Sequence, residues 1–201
     1  MNKRPASYPA LNEKHIIQHL RFLTESDNHA NSFEQVIKDN LFFVTIKFKR
    51  NSIKRGSPSD AIRAADKWYS KIARSAFGPR LGRKIPIQPI GYVFVDYDGT
   101  RQSGGYGGYD LLKGDPHVHA ILLLKPAEGQ KFRDVMLSEG YRQTKIIENV
   151  VIEGFNPEKG PMENLISYCK KGYEALPRSS SVREDGWGIW PPVKAKKKGG
   201  G

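Results

Sequence analysis

The sequence predicts an α+β fold in which helices pack on a central antiparallel β-sheet of about five strands. Strand-like runs with a two-residue period alternate along the chain with helical runs whose apolar residues lie three or four apart. Two of the strand-like runs, 90–97 and 116–125, are joined by a glycine-rich link with no helical pattern, which favours an antiparallel pair. We expect one domain over residues 1–177 and a basic, flexible tail over 178–201.

The first half of the chain predicts two helices, a strand and a third helix. Residues 13–23 carry an apolar stripe at helical spacing, and a shorter helix is expected over 33–37. Residues 41–50 alternate between an apolar face and a face that becomes increasingly cationic, which is typical of a strand with one side on the core. A longer helix is expected over 59–77, and Gly78 ends it.

The second half predicts two strands, a short helix, another strand and a final helix, over residues 90–97, 116–125, 131–139, 144–155 and 161–171. The strand over 144–155 is expected at an edge of the sheet. Gly172 is expected to close the final helix, because a proline just inside the start and a glycine just past the end are typical helix boundaries. The sequence leaves open whether Trp187 and Trp190 pack on the body or contact a partner.

The strongest compositional feature is a formal charge of +12 with a pI near 9.7. An excess of this size is typical of proteins that bind a polyanion, most often nucleic acid. The basic residues form three clusters, which are Lys47, Lys49, Arg50, Lys54 and Arg55, then Arg74, Arg80, Arg83 and Lys84, and then Lys194, Lys196, Lys197 and Lys198. The alternative interpretation is a solvated cationic surface that only keeps the protein soluble.

Composition also limits the cellular setting. Cys169 is the single cysteine, so an internal disulfide is excluded, as expected for a reducing compartment. The longest aliphatic run, 120–124, is far shorter than the ~20 residues that span a bilayer. Residues 1–9 contain no apolar signal segment. We therefore expect a cytoplasmic protein that has no membrane partner.

Two histidines that run into an apolar strand are the most specific chemical feature. His117 and His119 lie two residues apart, and side chains at this spacing project from the same face of a strand. Two imidazoles placed in this way can hold one divalent cation. A second pair, His15 and His19, has helical spacing but no accompanying acidic motif, and we interpret both as ordinary residues of a helix surface.

The final helix carries a second chemical feature. Tyr168 lies off the apolar stripe of this helix and shares a polar flank with Lys171. A tyrosine used only for packing would more naturally lie within the stripe. A neighbouring ammonium favours the phenolate and can contact a phosphate. From this helix alone, a half-buried tyrosine beside a surface lysine is the more common interpretation.

In chain order, the segments Phe43-Val44-Thr45, Pro116-His117-Val118-His119 and Tyr168-x-x-Lys171 resemble the HUH endonucleases. They are most similar to the single-tyrosine rolling-circle replication initiators of plasmids and small single-stranded DNA viruses. The resemblance covers residues 41–175 and implies a ferredoxin/RRM-like fold. It also implies that the two histidines bind Mg²⁺ or Mn²⁺. Tyr168 would nick one DNA strand through a 5′-phosphotyrosine link, with Lys171 assisting at the phosphate.

That family often adds a carboxylate ligand on the neighbouring strand. Asp96 is our choice because it ends that strand on a defined face, and Asp98 and Asp110 are rivals. We expect the DNA contacts to come from Thr45, Lys47, Lys49, Arg50 and Lys170. The implied partners are single-stranded DNA or an origin hairpin. A host helicase and a polymerase would be separate proteins, since the sequence has no Walker-type phosphate loop.

Three other functions fit part of the pattern. A metal-dependent oxygenase also uses two histidines and a carboxylate, but it would require an acidic residue soon after His119 or a distant third histidine. A non-catalytic nucleic-acid-binding module would explain the charge and leave the paired histidines without a role. A single-tyrosine transposase shares the chemistry of the initiators, and only the DNA that it recognises would separate the two.

Overall fold

The structure, a computed structural model, describes residues 12–25, 32–54, 57–98, 114–126, 128–141, 143–176 and 186–192. These residues form five α-helices and five strands: α1 (Glu13–Glu25), α2 (Phe33–Asn40), β1 (Leu41–Phe48), α3 (Pro58–Phe77), β2 (Ile90–Tyr97), β3 (Pro116–Leu123), α4 (Gly129–Leu137), β4 (Ile147–Gly154), α5 (Met162–Ala175) and β5 (Trp187–Trp190). The strands make one antiparallel sheet, which confirms the predicted α+β class. Within the described residues, no helix combines the length and the apolar character that a membrane crossing requires.

The strand order is β4-β1-β3-β2-β5, so β3 is central and β4 lies at an edge, as the sequence predicts. In this register His119 lies between Thr45 of β1 and Phe94 of β2. His117 lies between Lys47 and Asp96. Directly opposite residues of neighbouring strands share a face of the sheet, so the register brings Asp96 beside both histidines.

Helices cover both faces of the sheet. The helices α3 and α4 pack on the face formed by residues such as Val44 and Val93. On the other face, α1, α2 and α5 pack against residues such as Phe94 and Ile121. The alternation along each strand therefore supplies two cores, and the histidines share the face that α5 covers.

The fifth strand lies in the segment for which we expected a flexible tail. Residues 187–190 pair with β2, and Trp190 is fully buried. Its ring stacks on Tyr69 with centroids 4.9 Å apart, and its Nε1 donates a hydrogen bond to Asp66 Oδ1 at 2.9 Å. The question that the sequence left open is answered here, because Trp190 packs on the body. Part of the tail segment thus belongs to the sheet.

The final helix also differs from the prediction. Gly172 does not close α5, which continues to Ala175. Glycine lowers helix stability by about 1 kcal/mol relative to alanine, but it does not by itself end a helix. A glycine is needed at position 172 for another reason, which is the close contact between α5 and β2.

Replacing Trp190 by alanine should destabilise the protein by about 3–5 kcal/mol, because the change removes a buried aromatic side chain and its hydrogen bond. Trp187→Ala is the matched control, since Trp187 is only partly buried in the same strand. Urea unfolding followed by circular dichroism measures both. Equal losses for the two variants would contradict a structural role specific to Trp190.

Candidate metal centre

Asp96, His117 and His119 form a cluster at the end of β2 and the start of β3. Asp96 Oδ2 lies 3.4 Å from His117 Nε2 and 3.3 Å from His119 Nε2. One potential ligand atom from each residue lies within 4.8 Å of the other two. The two histidines and the third ligand chosen from the sequence are therefore close enough to bind one cation.

The environment of the cluster fits a metal ion. Asp96 and His119 are buried, and His117 is largely shielded. Within the part of the chain that the structure describes, His119 Nε2 is buried without a hydrogen bond. Buried polar atoms of this kind are rare in folded proteins, and a bound ion would satisfy this nitrogen. Two imidazole nitrogens and one carboxylate fit Mn²⁺ better than Mg²⁺, which prefers oxygen ligands.

Two further side chains lie beside the imidazole rings. Thr45 Oγ1 is hydrogen-bonded to His119 Nδ1 at 3.0 Å. The hydroxyl of Thr45, which we expected to contact DNA, therefore binds a candidate metal ligand instead. Asp98 Oδ1 lies 3.7 Å from His117 Nδ1, on the side of the ring away from Asp96. The hydrogen bond between Thr45 and His119 is of the type that holds a histidine ring in the orientation that a metal requires, whereas Asp98 lies beyond hydrogen-bond distance of His117. Asp110, the other rival ligand, lies outside the described residues.

The protonation states also suit a metal site. Burial by itself would raise the pKa of Asp96, but the imidazoles of His117 and His119 beside its carboxylate outweigh this effect and hold the pKa well below its ordinary value. Burial lowers the pKa of His119, although Asp96 opposes the shift. Near neutral pH the carboxylate is therefore charged and His119 is neutral, which are the forms that bind metal ions.

Tyr168 lies beside this cluster. The centroid of its ring is 5.2 Å from that of His119, and the ring of Phe43 contacts both, at 5.3 Å from His119 and 5.7 Å from Tyr168. The tertiary structure thus brings a phenol and a candidate metal ligand together from positions 49 residues apart in the sequence. The two-residue period of the strand predicts that Phe43 shares a face with Thr45, Lys47 and Lys49. The contact of its ring with Tyr168 has no signal in the local pattern.

Lys171 contacts both parts of the site. Its Nζ lies 3.4 Å from Asp96 Oδ2 and 4.4 Å from the centroid of the Tyr168 ring. The ammonium therefore shares one carboxylate oxygen with both imidazoles. A divalent cation on that oxygen would repel the ammonium at short range, so Lys171 and a metal ion compete for Asp96.

Gly172 allows this arrangement to form. A Cβ atom at this position would lie 2.1 Å from Asp96 Oδ1 and 2.6 Å from Asp96 Cα. Helix α5 therefore approaches the backbone of β2 so closely that no side chain fits between them. This contact explains the glycine that the sequence analysis assigned to the end of the helix.

The remaining expected DNA contacts divide into two groups. Lys47, Lys49 and Arg50 are exposed at the end of β1 and beyond it. Lys170 is buried instead, with its Nζ 2.8 Å from Glu13 Oε1 and 2.7 Å from Glu174 Oε1. Burial opposes the charge of Lys170, but these two carboxylates raise its pKa above the ordinary value. Its ammonium joins α5 to α1 and is not presented to a DNA strand.

Gly172→Ala should push α5 away from Asp96, because the new methyl group meets backbone as well as side-chain atoms. We expect a loss of about 1–3 kcal/mol in the free energy of unfolding and weaker binding of Mn²⁺. Gly140→Ala is the control, since a Cβ there meets nothing within 4 Å. Urea unfolding measures the stability and calorimetric titration measures the Mn²⁺ affinity. Equal stability and equal affinity in the two variants would show that the close contact between Gly172 and Asp96 does not matter.

Lys171→Met should strengthen Mn²⁺ binding by roughly tenfold, which corresponds to about 1.4 kcal/mol, because the competing ammonium is removed from Asp96. Lys47→Met is a charge-matched control on the same face, opposite His117 in the register but in a neighbouring strand. Isothermal titration calorimetry gives both affinities. A weaker affinity in Lys171→Met would show that the lysine supports the metal site rather than competing with it.

Comparisons with protein-family profiles, with curated proteins and with solved structures give no match for this chain. The function must therefore be inferred from the fold and the site. A five-stranded antiparallel sheet with packed helices and a His-His-Asp cluster is compatible with the HUH resemblance in the sequence.

Proposed function

We propose that this protein is a metal-dependent tyrosine DNA endonuclease of the HUH type. It would nick single-stranded DNA at a replication origin through a 5′-phosphotyrosine intermediate and so start rolling-circle replication. The single observation that carries the proposal is the position of Tyr168, whose ring lies 5.2 Å from that of His119 in the candidate metal centre.

The proposed reaction is a transesterification. The hydroxyl oxygen of Tyr168 attacks the phosphorus, the bond from phosphorus to the 3′ oxygen breaks, and the 3′ hydroxyl leaves with a proton. Tyrosine hydroxyls are weak nucleophiles at neutral pH because they are protonated. A divalent ion held by Asp96, His117 and His119 would supply Lewis-acid stabilisation of the charge on the phosphate oxygens. The protein contributes an imidazole, that of His119, oriented by Thr45, and a buried, charged carboxylate.

Lys171 would stabilise the same phosphate. Its ammonium lies between the Tyr168 ring and Asp96, and it is partly exposed. A lysine on a flexible stem can leave a carboxylate that a metal ion neutralises and bind a phosphate oxygen instead. The competition at Asp96 would therefore couple metal binding to the delivery of a cation to the substrate.

The surface beside the site suits a DNA backbone. Lys47 lies opposite His117 in the register and is exposed, and Lys49 and Arg50 continue the cationic surface away from the sheet. Phosphate contacts of this kind release counterions, so DNA affinity should fall steeply with salt. The enzyme would act in the cytoplasm on single-stranded DNA or an origin hairpin, with separate helicase and polymerase proteins.

The same donor set, two histidines and one carboxylate, also occurs in non-haem iron oxygenases. Two neighbours of the site favour phosphate chemistry instead. Lys171 places a positive charge beside the cluster, and Tyr168 places a nucleophile there. A single-tyrosine transposase would use the same site, and the DNA sequence cleaved would distinguish it from an initiator.

Tyr168→Phe should abolish covalent attachment to DNA and leave DNA affinity within about twofold, because the change removes one hydroxyl and no charge. Tyr173→Phe is the matched control, since Tyr173 lies in the same helix and packs on Phe94. The assay incubates each protein with a broad pool of single-stranded oligonucleotides and Mn²⁺. A denaturing gel then detects the protein–DNA adduct, and fluorescence anisotropy measures DNA affinity.

The alternatives predict other results. A non-catalytic binding module would form no adduct in any variant and would bind DNA in all of them. If the adduct forms in Tyr168→Phe but not in Tyr173→Phe, the nucleophile is Tyr173 and not Tyr168. Absence of an adduct with the unaltered protein across the whole pool would remove the basis of the proposal.

A further inference from the structure

A concave surface lies away from the candidate metal centre. Its cavity volume is about 520 Å³, and it is formed by the end of α3, the segment between α3 and β2, and the residues after β5. We call it the proline groove, and the residues that define it here are Arg74, Pro79, Leu81, Ile85, Pro191 and Pro192. A volume of this size accommodates several side chains of a bound peptide.

The proline groove and the metal centre lie on different sides of the sheet. Helix α3 packs on the face of β2 that contains Val93 and Val95, whereas Asp96 faces the histidines. They also lie at different ends of β2, because the residue before Pro191 pairs with Gly91. A DNA strand bound at the metal centre would not need to reach the groove.

Unpaired positive charge surrounds the proline groove. Residues 67–95 contain six lysines and arginines and no aspartate or glutamate. Arg74 lines the groove, and Arg80 and Arg83 are exposed in the segment that forms one wall. Across the ranges that the structure describes, none of these three arginines has an ion pair. This cluster is one of the three found in the sequence, and the proposed nicking site does not use it.

The walls of the groove are apolar as well as cationic. Ile85 exposes 48% of its surface, and Leu81 and three prolines lie around it. Proline rings and aliphatic side chains provide no hydrogen-bond donor for a phosphate, but they pack well against apolar side chains. Interfaces with DNA are more polar than this surface. The combination of apolar walls with unpaired arginines fits a peptide that carries both apolar and acidic residues.

We propose that the proline groove binds an acidic segment of a partner protein. Apolar side chains of the segment would pack on Ile85 and the prolines, and its carboxylates would lie near Arg74, Arg80 and Arg83. The chain itself does not provide this segment in its C-terminal residues, because 193–198 contain four lysines and carry the same sign of charge. This inference does not depend on the proposed nicking activity.

Phage display of random 12-residue peptides against the full-length protein tests the proposal. We expect the selected peptides to be enriched in aspartate or glutamate together with leucine, phenylalanine or tryptophan. Fluorescence anisotropy with the best peptide then compares variants. Arg74→Glu should weaken binding by about tenfold or more, and Ile85→Ser by about fivefold. Lys14→Glu, an exposed change of equal charge on α1, should leave the affinity within about twofold.

Binding of a 20-base-pair DNA duplex to the same variants tests the alternative that this surface binds nucleic acid. Loss of duplex binding in Arg74→Glu and Ile85→Ser, with peptide binding unchanged, would make this surface a nucleic-acid site and overturn the proposal. Selection of no peptide, or of peptides without acidic residues, would overturn it as well. Adduct formation at Tyr168 should persist in both groove variants, so failure of one proposal is distinguishable from failure of the other.

Discussion

Burying a carboxylate is costly unless positive or polar groups surround it, and Asp96 is fully buried between a strand and a helix. Three nitrogens approach one of its oxygens, from His117, His119 and Lys171. The histidines come from the neighbouring strand and the lysine from α5, so this one carboxylate joins the sheet to the last helix. Its stabilisation depends on a helix that can approach the strand closely, which Gly172 permits.

Successive residues of α5 lie in different environments, and together they hold the helix close to β2. Cys169 faces the apolar core, and Lys170 is buried in ion pairs with Glu13 and Glu174. Tyr168 and Lys171 face the candidate metal centre. Because Glu13 belongs to α1, this ion pair joins the first helix of the described chain to the last one, and both helices also pack in the same core. The position of Tyr168 therefore depends on contacts made on several sides of α5.

Positive charge lies on both sides of the sheet, but its surroundings are polar on one side and apolar on the other. On the side of the candidate metal centre, Lys47 lies beside the candidate ligands and is exposed, an arrangement that suits a phosphate backbone. Behind the sheet, Arg74 borders an apolar groove, which suits a peptide. The net charge of +12 therefore need not serve one partner only.

Periodicity in the sequence determined the fold class and the two-histidine face, because side-chain direction in a strand follows from a two-residue alternation. The expectation of a carboxylate ligand on the neighbouring strand came from the HUH resemblance, and the strand pattern then favoured Asp96 over Asp98 and Asp110. Periodicity could not determine that Lys170 is buried or that Thr45 is bonded to His119. It also could not show that Gly172 is the point where α5 meets β2, or that Trp190 belongs to a fifth strand at the edge of the sheet. These features depend on strand register and helix rotation, which are set by contacts between residues far apart in the chain. Local patterns contain no information about which distant partner a side chain meets.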